Sequence, residues 1–171
     1  DAEVNISTWA GYGQSSPSYS SLAVYTGDAV NNLTRVASGY YRTSFQAKSG
    51  TSYFIAVDGV DYWSTRPSQG SFRMTIDAEP CPANDNFANA ILLTGSQVSS
   101  NGINASATKE TDEPDHAANR GGKSVWWSWR APSAGTAEID TVGSTFDSIL
   151  AIYSGDNLSN LTLVAQDDSN G

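Results

Sequence analysis

The sequence predicts an all-β fold: an antiparallel β-sandwich, present as out-of-phase parts of two tandem repeats. Short β-prone runs recur at intervals of roughly 8 to 15 residues between clusters of Gly, Asn, Asp and Ser, the spacing expected of a sandwich. Apolar and polar residues alternate through Ser71–Asp77, which places Phe72, Met74 and Ile76 on one face of a half-buried strand. The third observation is that the chain restates itself at a period close to the size of a domain.

The elements follow in order. Glu3 to Ile6, Leu22 to Thr26, Leu33 to Val36, Ser52 to Val57 and Phe72 to Ile76 are the strands expected before the middle of the chain. Their β-branched and aromatic side chains fit a pleated, half-buried surface. Ala78-Glu79-Pro80-Cys81-Pro82-Ala83 then holds two prolines, which cannot donate to a ladder and fix an extended path. This marks a boundary between residues 1–80 and 81–171. Beyond it, Asp85–Ala90 offers one capped turn of helix. Strands are expected at Ile91 to Thr94, Ser124 to Arg130, Ala137 to Thr141, Ile149 to Ser154 and Leu161 to Val164.

The self-similarity sets the phase. Ala137-Glu138-Ile139-Asp140, Leu150-Ala151-Ile152-Tyr153-Ser154-Gly155-Asp156 and Leu161-Thr162-Leu163-Val164-Ala165 restate Ala2-Glu3-Val4-Asn5, Leu22-Ala23-Val24-Tyr25-Thr26-Gly27-Asp28 and Leu33-Thr34-Arg35-Val36-Ala37. The offset is 135 residues at the first block and 128 afterwards, so the earlier copy carries seven more residues in the loop between Trp9 and Tyr19. Because 137–171 restates 2–38, residues 1–80 and 81–171 are expected to belong to two successive repeats. The chain is thus expected to open and to stop in mid-repeat. The strands that 82–171 lacks correspond to Ser52–Val57 and Phe72–Ile76, whose half-dozen apolar residues would each contribute roughly 1.5 to 3 kcal/mol when buried. That sum is comparable with the stability of a whole domain, about 5 to 15 kcal/mol. A closed sandwich in 82–171 is therefore expected to need strands from elsewhere, either from 1–80 in permuted order or from a neighbouring molecule.

Composition narrows the function. Nine Lys+Arg stand against eighteen Asp+Glu, a formal charge of −9. Nucleic acid is excluded as a partner, because phosphate binding needs clustered cations and Arg120, Lys123 and Arg130 are few and scattered. No apolar run approaches the 18 or so residues of a membrane span. Cys81 is the only cysteine, so no disulfide can close within the chain and no zinc cluster is available. A chain rich in Ser, Thr, Gly, Asn and Asp fits an exported protein.

Particular residues then point to a family. Pro82-Ala83-Asn84-Asp85-Asn86-Phe87-Ala88-Asn89-Ala90, Ala107-Thr108-Lys109-Glu110, Glu113-Pro114-Asp115-His116-Ala117, Gly121-Gly122-Lys123-Ser124-Val125-Trp126-Trp127-Ser128-Trp129, Phe146-Asp147-Ser148 and Ile152-Tyr153-Ser154-Gly155 resemble a repeat of large exported bacterial proteins. The repeat is similar to the pre-peptidase C-terminal domain, a β-sandwich or jelly-roll module appended to secreted hydrolases and surface proteins. The resemblance is dense over 82–171 and looser over 2–77, where Tyr25-Thr26-Gly27-Asp28 and Gly50–Gly59 carry it. It implies an extracellular or cell-surface module of a bacterial protein, with 1–80 the C-terminal part of one repeat and 81–171 the N-terminal two thirds of the next.

Candidate binding residues are aromatic. In Val125-Trp126-Trp127-Ser128-Trp129, period-two geometry puts Val125, Trp127 and Trp129 on one face, expected to be core. Trp126 and Arg130 fall on the other, where Trp126 is freer to bind. Trp9, Tyr12 and Tyr19 in the longer loop, with Tyr62 and Trp63 after Val57-Asp58-Gly59, are placed to stack on sugar rings or to pack on a neighbouring repeat. Calcium, which takes six to eight oxygens, is the candidate cofactor. Asp167 and Asp168 would ligate it, with Asp140 and Asp147 if the loops converge, against the alternative of solvated acidic loops. His116, the single histidine, lacks the companions of a zinc site. No Gly-x-Ser-x-Gly elbow accompanies it, and its expected part is to fix its own loop by hydrogen bonds. No pair of carboxylates is fixed at the spacing of a glycosidase, so the chain is expected to be non-catalytic. Its expected partners are neighbouring repeats or subunits of the same protein, with polysaccharide binding as the alternative.

Overall fold

The structure, a computed structural model, describes residues 1–10, 20–60 and 69–168. These residues form strands and three single turns of 3-10 helix, with no α-helix among them. The chain makes two compact units, Asp1–Pro80 and Cys81–Gly171.

In the first unit β1 (Ala2–Ala10) is the centre of an antiparallel sheet, flanked by β4 (Arg42–Ala47) and β6 (Phe72–Pro80). A second antiparallel sheet has β2 (Ser20–Thr26) at its centre, between β3 (Thr34–Tyr40) and β5 (Phe54–Gly59). The two central strands supply the core. Val4 and Ile6 alternate with polar Glu3, Asn5 and Ser7, and Leu22 and Val24 alternate with Ala23 and Tyr25, so each strand turns one apolar row inward. Phe45, Tyr53, Ile55 and Val57 pack around these four buried residues. The two sheets thus share one core, an arrangement consistent with a β-sandwich.

The chain passes between the sheets at Tyr41. This residue takes a left-handed backbone (φ 62°), its N–H donates to the Ser20 carbonyl (3.1 Å) and its carbonyl accepts the Thr8 N–H (2.7 Å). A Cβ at Gly39 would lie 2.3 Å from the Arg42 carbonyl, so the bend admits only glycine there. Strand β4 was not expected from the sequence; Arg42, Ser44 and Gln46 dilute the alternation of Thr43, Phe45 and Ala47.

Strand β6 departs from expectation in its packing. Register sets Ile6 opposite Ile76, Thr8 opposite Met74 and Ala10 opposite Phe72, so the β6 apolar row lies on the core side of its sheet. It is nevertheless open, with Phe72 52%, Met74 40% and Ile76 49% exposed. As an edge strand it overhangs the four-residue core, and nothing within the unit's described residues covers it.

The second unit contains β7 (Ile91–Leu93) and β8 (Trp127–Trp129), paired in parallel, and the antiparallel pair β9 (Leu150–Ser154) and β10 (Thr162–Asp167). The β9–β10 hairpin reproduces β2–β3 residue for residue. Leu150↔Asp167, Ala151↔Gln166 and Ile152↔Ala165 correspond to Leu22↔Gly39, Ala23↔Ser38 and Val24↔Ala37. After a bulge, Tyr153↔Leu163 and Ser154↔Thr162 correspond to Tyr25↔Arg35 and Thr26↔Thr34. The bulge residue is Val36 in one hairpin and Val164 in the other, and both connections carry a 3-10 turn, Val30–Asn32 and Leu158–Asn160. The connections share a glycine constraint: Gly27 and Gly155 have φ 138° and 137°, and a Cβ at either would press on the carbonyl of Asn32 or Asn160.

The hairpins differ in company. β2 is paired on both edges, whereas β9 has β10 alone among the described residues. Ala137–Thr141, expected as a strand because it restates Ala2–Ile6, is not one and is exposed throughout. The reason is partnership: β1 is held by β4 on one side and β6 on the other, and the second unit has no strand in either place among its described residues.

A paired truncation reads this difference directly. Leu22 is fully buried and its counterpart Leu150 is half-buried. Leu22→Ala is expected to lower the unfolding free energy of the first unit by about 3 kcal/mol, and Leu150→Ala to lower that of the second by about 1 kcal/mol, as cavity costs scale with enclosure. Urea unfolding followed separately in each unit measures both.

Candidate functional site

The second unit is held together less by an apolar core than by polar side chains that tie backbone to backbone. Asn84 and Asp85 are both buried. Asn84 Nδ2 donates to the Trp126 carbonyl and the Trp126 N–H returns a bond to the Asn84 carbonyl, each 2.9 Å. The Asp85 carboxylate accepts from Thr108 N–H (2.6 Å) and Thr108 Oγ1 (2.9 Å). Glu110 accepts from the Phe87 N–H, and Glu113 in turn accepts from the Glu110 N–H. Ionised carboxylates receiving N–H donors give strong bonds, which is how a segment of little apolar content stays folded.

This framework directs the Trp126 ring inward. It lies edge-on to Phe87 (centroids 5.2 Å) and His116 (5.5 Å), with Tyr153 at 6.3 Å. His116 bridges two elements: Nε2 meets Glu113 Oε1 at 2.8 Å and Nδ1 meets the Tyr153 hydroxyl at 2.9 Å. Hydrogen bonds from His116, Ser124 and the Glu110 N–H outweigh the opposing effect of burial and hold the Glu113 carboxyl below its ordinary value. Tyr153 is pushed the other way, by burial and then by the Glu113 charge, so it keeps its proton. In the neutral imidazole the proton order is then Tyr153 O–H to Nδ1, and Nε2–H to Glu113. An acid, a histidine and a hydroxyl in line resemble a relay, but a hydroxyl whose ionisation is opposed is the reverse of an activated nucleophile. The arrangement is a latch that seats the 110–119 loop on strand β9.

These positions revise the expectations for the tryptophans. Trp126, expected on the freer face, is buried, and its indole N–H finds no acceptor among the described residues. Trp129, expected in the core, is 37% exposed; its indole N–H donates to the Gly95 carbonyl, and that of Trp127 to Ser100 Oγ. Alternation failed as a guide because β8 pairs on one side for three residues only, and Asn84 and Ile91 fix the Trp126 backbone instead. Glu113, within the acidic run Glu110–His116, is buried. His116 does fix its own loop, and it also reaches β9.

The loop aromatics belong to the first unit. Tyr12, Tyr19, Tyr62 and Trp63 lie outside the described residues. Their flanking strand ends are described and adjoin: Ala10 pairs with Phe72 and Ser20 with Gly59. The segments 11–19 and 61–68 therefore depart from one end of the unit, where Trp9 is 69% exposed and Tyr40 and Phe72 are also open.

The four aspartates are not brought together. Asp140, Asp147, Asp167 and Asp168 are all exposed, and Asp140 accepts from the Val142 N–H in a local turn. Among the described residues no three His, Cys, Asp or Glu side chains converge as a metal centre requires. Among the described residues no helix is long and apolar enough to cross a membrane. Searches against models of protein families, characterised proteins and solved structures return no match.

Sequence reasoning passed over Asn84, Asp85, Glu113 and Tyr153 as site residues. The Glu113-x-x-His116 spacing and the recurrence of Tyr25 at Tyr153 were the available signals.

The latch gives a pH dependence with a definite sign. A carboxyl whose folded value lies below its unfolded one stabilises the fold above the ordinary value of 4.5, and this contribution is lost as pH falls through the folded value. Acid unfolding of the second unit should accordingly set in below about pH 4.5. Glu113→Gln should lower its stability at neutral pH by about 1–3 kcal/mol and flatten the acid limb, both measurable by urea titrations across pH.

Proposed function

We propose that the protein is a non-catalytic β-sandwich repeat of an exported bacterial surface or filament protein, a structural and interaction module completed by strands from a neighbouring repeat. The observation that carries this reading is the unequal company of two equal hairpins. β2–β3 has β5 on its free edge and β1 across its inner face. Among the described residues β9–β10 repeats the same register with neither. Leu163 and Val164 on the hairpin are exposed, as are Ile139, Val142 and Phe146 before it in the chain, Val142 at 80%. Apolar surface of this extent on a soluble module marks an interaction face, and the bare edge of β9 offers unpaired backbone groups to an incoming strand. The chemistry fits the same reading, since in the acid–histidine–hydroxyl array of Glu113, His116 and Tyr153 the hydroxyl is pushed toward keeping its proton. The resemblance of residues 82–171 to the pre-peptidase C-terminal type of module agrees with an extracellular setting.

Sedimentation over a wide concentration range tests the reading. The chain is expected to associate, with backbone amides of Leu150–Ser154 gaining protection from hydrogen exchange as it does so. A fixed monomer whose β9 amides are already protected would count against it.

A second reading rests on the exposed end of the first unit, where Trp9 stands beside the roots of the two aromatic segments. As an accessory module of a secreted hydrolase, the protein would hold polysaccharide there by ring stacking. Affinity electrophoresis in polysaccharide gels should then show retardation that Trp9→Ala and Trp63→Ala each abolish, whereas equal mobility in every gel would remove this reading.

A further inference from the structure

We propose that the outer face of the β3–β2–β5 sheet, centred on Tyr25 and Phe54, is the seat for the 81–136 half of another repeat. The inference rests on the tandem-repeat reading above and names the partner of a different face. The two copies of the hairpin are engaged differently: in the first the aliphatic face is enclosed, and in the second, where Leu150–Tyr153 are all half-buried, the tyrosine is held by partners that Tyr25 lacks among the described residues. In the first unit the inward Leu22 and Val24 are fully buried, while Ala23 and Tyr25 point away from the core. In the second unit the tyrosine face is the one in use: Tyr153 bonds to His116 and lies against Trp126. Leu150 and Ile152, the counterparts of Leu22 and Val24, are only half-buried.

Register fixes what the outer face of the first unit presents. Tyr25 is opposite Phe54 and Arg35, and Ala23 is opposite Ala56 and Ser38, so all six share that face. Phe54 is 49% exposed, and the Tyr25 hydroxyl has no partner among the described residues. The backbone of this hairpin matches that of β9–β10 through the bulge, so a group seated like His116 would meet the Tyr25 hydroxyl as His116 meets that of Tyr153. Where the second unit has Leu163, the first has Arg35, a cation facing the acidic loop Glu110, Asp112, Glu113 and Asp115 of the incoming half. The join is also given by the sequence, because Ala137-Glu138 restates Ala2-Glu3, so Thr136 of one repeat leads into Ala2.

The test extends the full chain at its amino end with a second copy of residues 81–136, Thr136 running into Ala2. Hydroxyl-radical footprinting should show labelling of Tyr25 and Phe54 falling several-fold relative to the unextended chain. Tyr25→Phe should lower the thermal midpoint of the extended chain by about 2–4 °C and leave the unextended chain within about 1 °C. Equal labelling of both residues in the two chains, or an equal effect of Tyr25→Phe in both, would overturn the proposal, as would an added half that stays open to protease. Retention of the unextended chain on a polysaccharide that Tyr25→Ala abolishes would assign the face to a polymer and overturn it as well. Association through β9 is read on the unextended chain by sedimentation and does not depend on Tyr25, so failure here leaves that result standing.

Discussion

The constraint on which this molecule turns is that a hairpin with two apolar faces needs two covers. Leu-Ala-Val-Tyr and Leu-Ala-Ile-Tyr put an aliphatic row on one side of the strand and an alanine and a tyrosine on the other. Fully enclosing one Val, Leu or Ile contributes about 1.5–3 kcal/mol, so either face left open forfeits a sizeable part of a domain's margin. The first unit encloses the aliphatic row with β1 and its neighbours, and the second engages the tyrosine through Trp126 and His116. Each unit demonstrates the solution that the other is missing.

The two covers are made of different material. Over the aliphatic row the contacts are side chain to side chain, non-directional, and set by alternation on β1 and β2. Over the tyrosine they are directional. Asn84 and Asp85 bind the segments around 106–110 and 126 through backbone groups, and the chain from the Phe87 N–H through Glu110 and Glu113 to His116 ends on the Tyr153 hydroxyl. A cover of this kind tolerates few substitutions, because loss of one partner leaves another buried polar group unpaired. It also explains how a stretch with little regular structure, from Cys81 to Ala131, can have a fixed shape.

Strands with strong alternation or β-branched runs were legible in the sequence: β1, β2, β5, β9 and β10 lie where Glu3–Ile6, Leu22–Thr26, Ser52–Val57, Ile149–Ser154 and Leu161–Val164 predict them, within a few residues. The matching hairpins were legible too, because the restated residues include the glycine and the 3-10 turn that fix the connection. Pattern failed where partnership decides. Ala137–Thr141 has the composition of a strand and no neighbour to make it one, and β4 is a strand because the Tyr41 bend delivers it to the β1 edge. The latch was hidden for another reason. Glu113 and His116 read as members of an acidic loop, and only burial, which depends on Trp126 and Tyr153 meeting in space, separates them from Asp112 and Asp115.

The placement of the bulges bears on how such a module joins its neighbours. A cover supplied by a different half of the repeat makes a heterologous contact, and contacts of that kind propagate unless rotation closes them into a ring. Propagation through any exposed edge would give aggregation rather than an ordered series. In both hairpins the extra residue, Val36 or Val164, sits on β3 or β10, the strand away from the edge that β5 occupies on β2. A bulge twists its strand and interrupts the row of backbone groups, which blunts that side for pairing. In the proposed association the regular edge of β9 is the receptive one, so the same local irregularity that the sequence repeats would also give that association its direction.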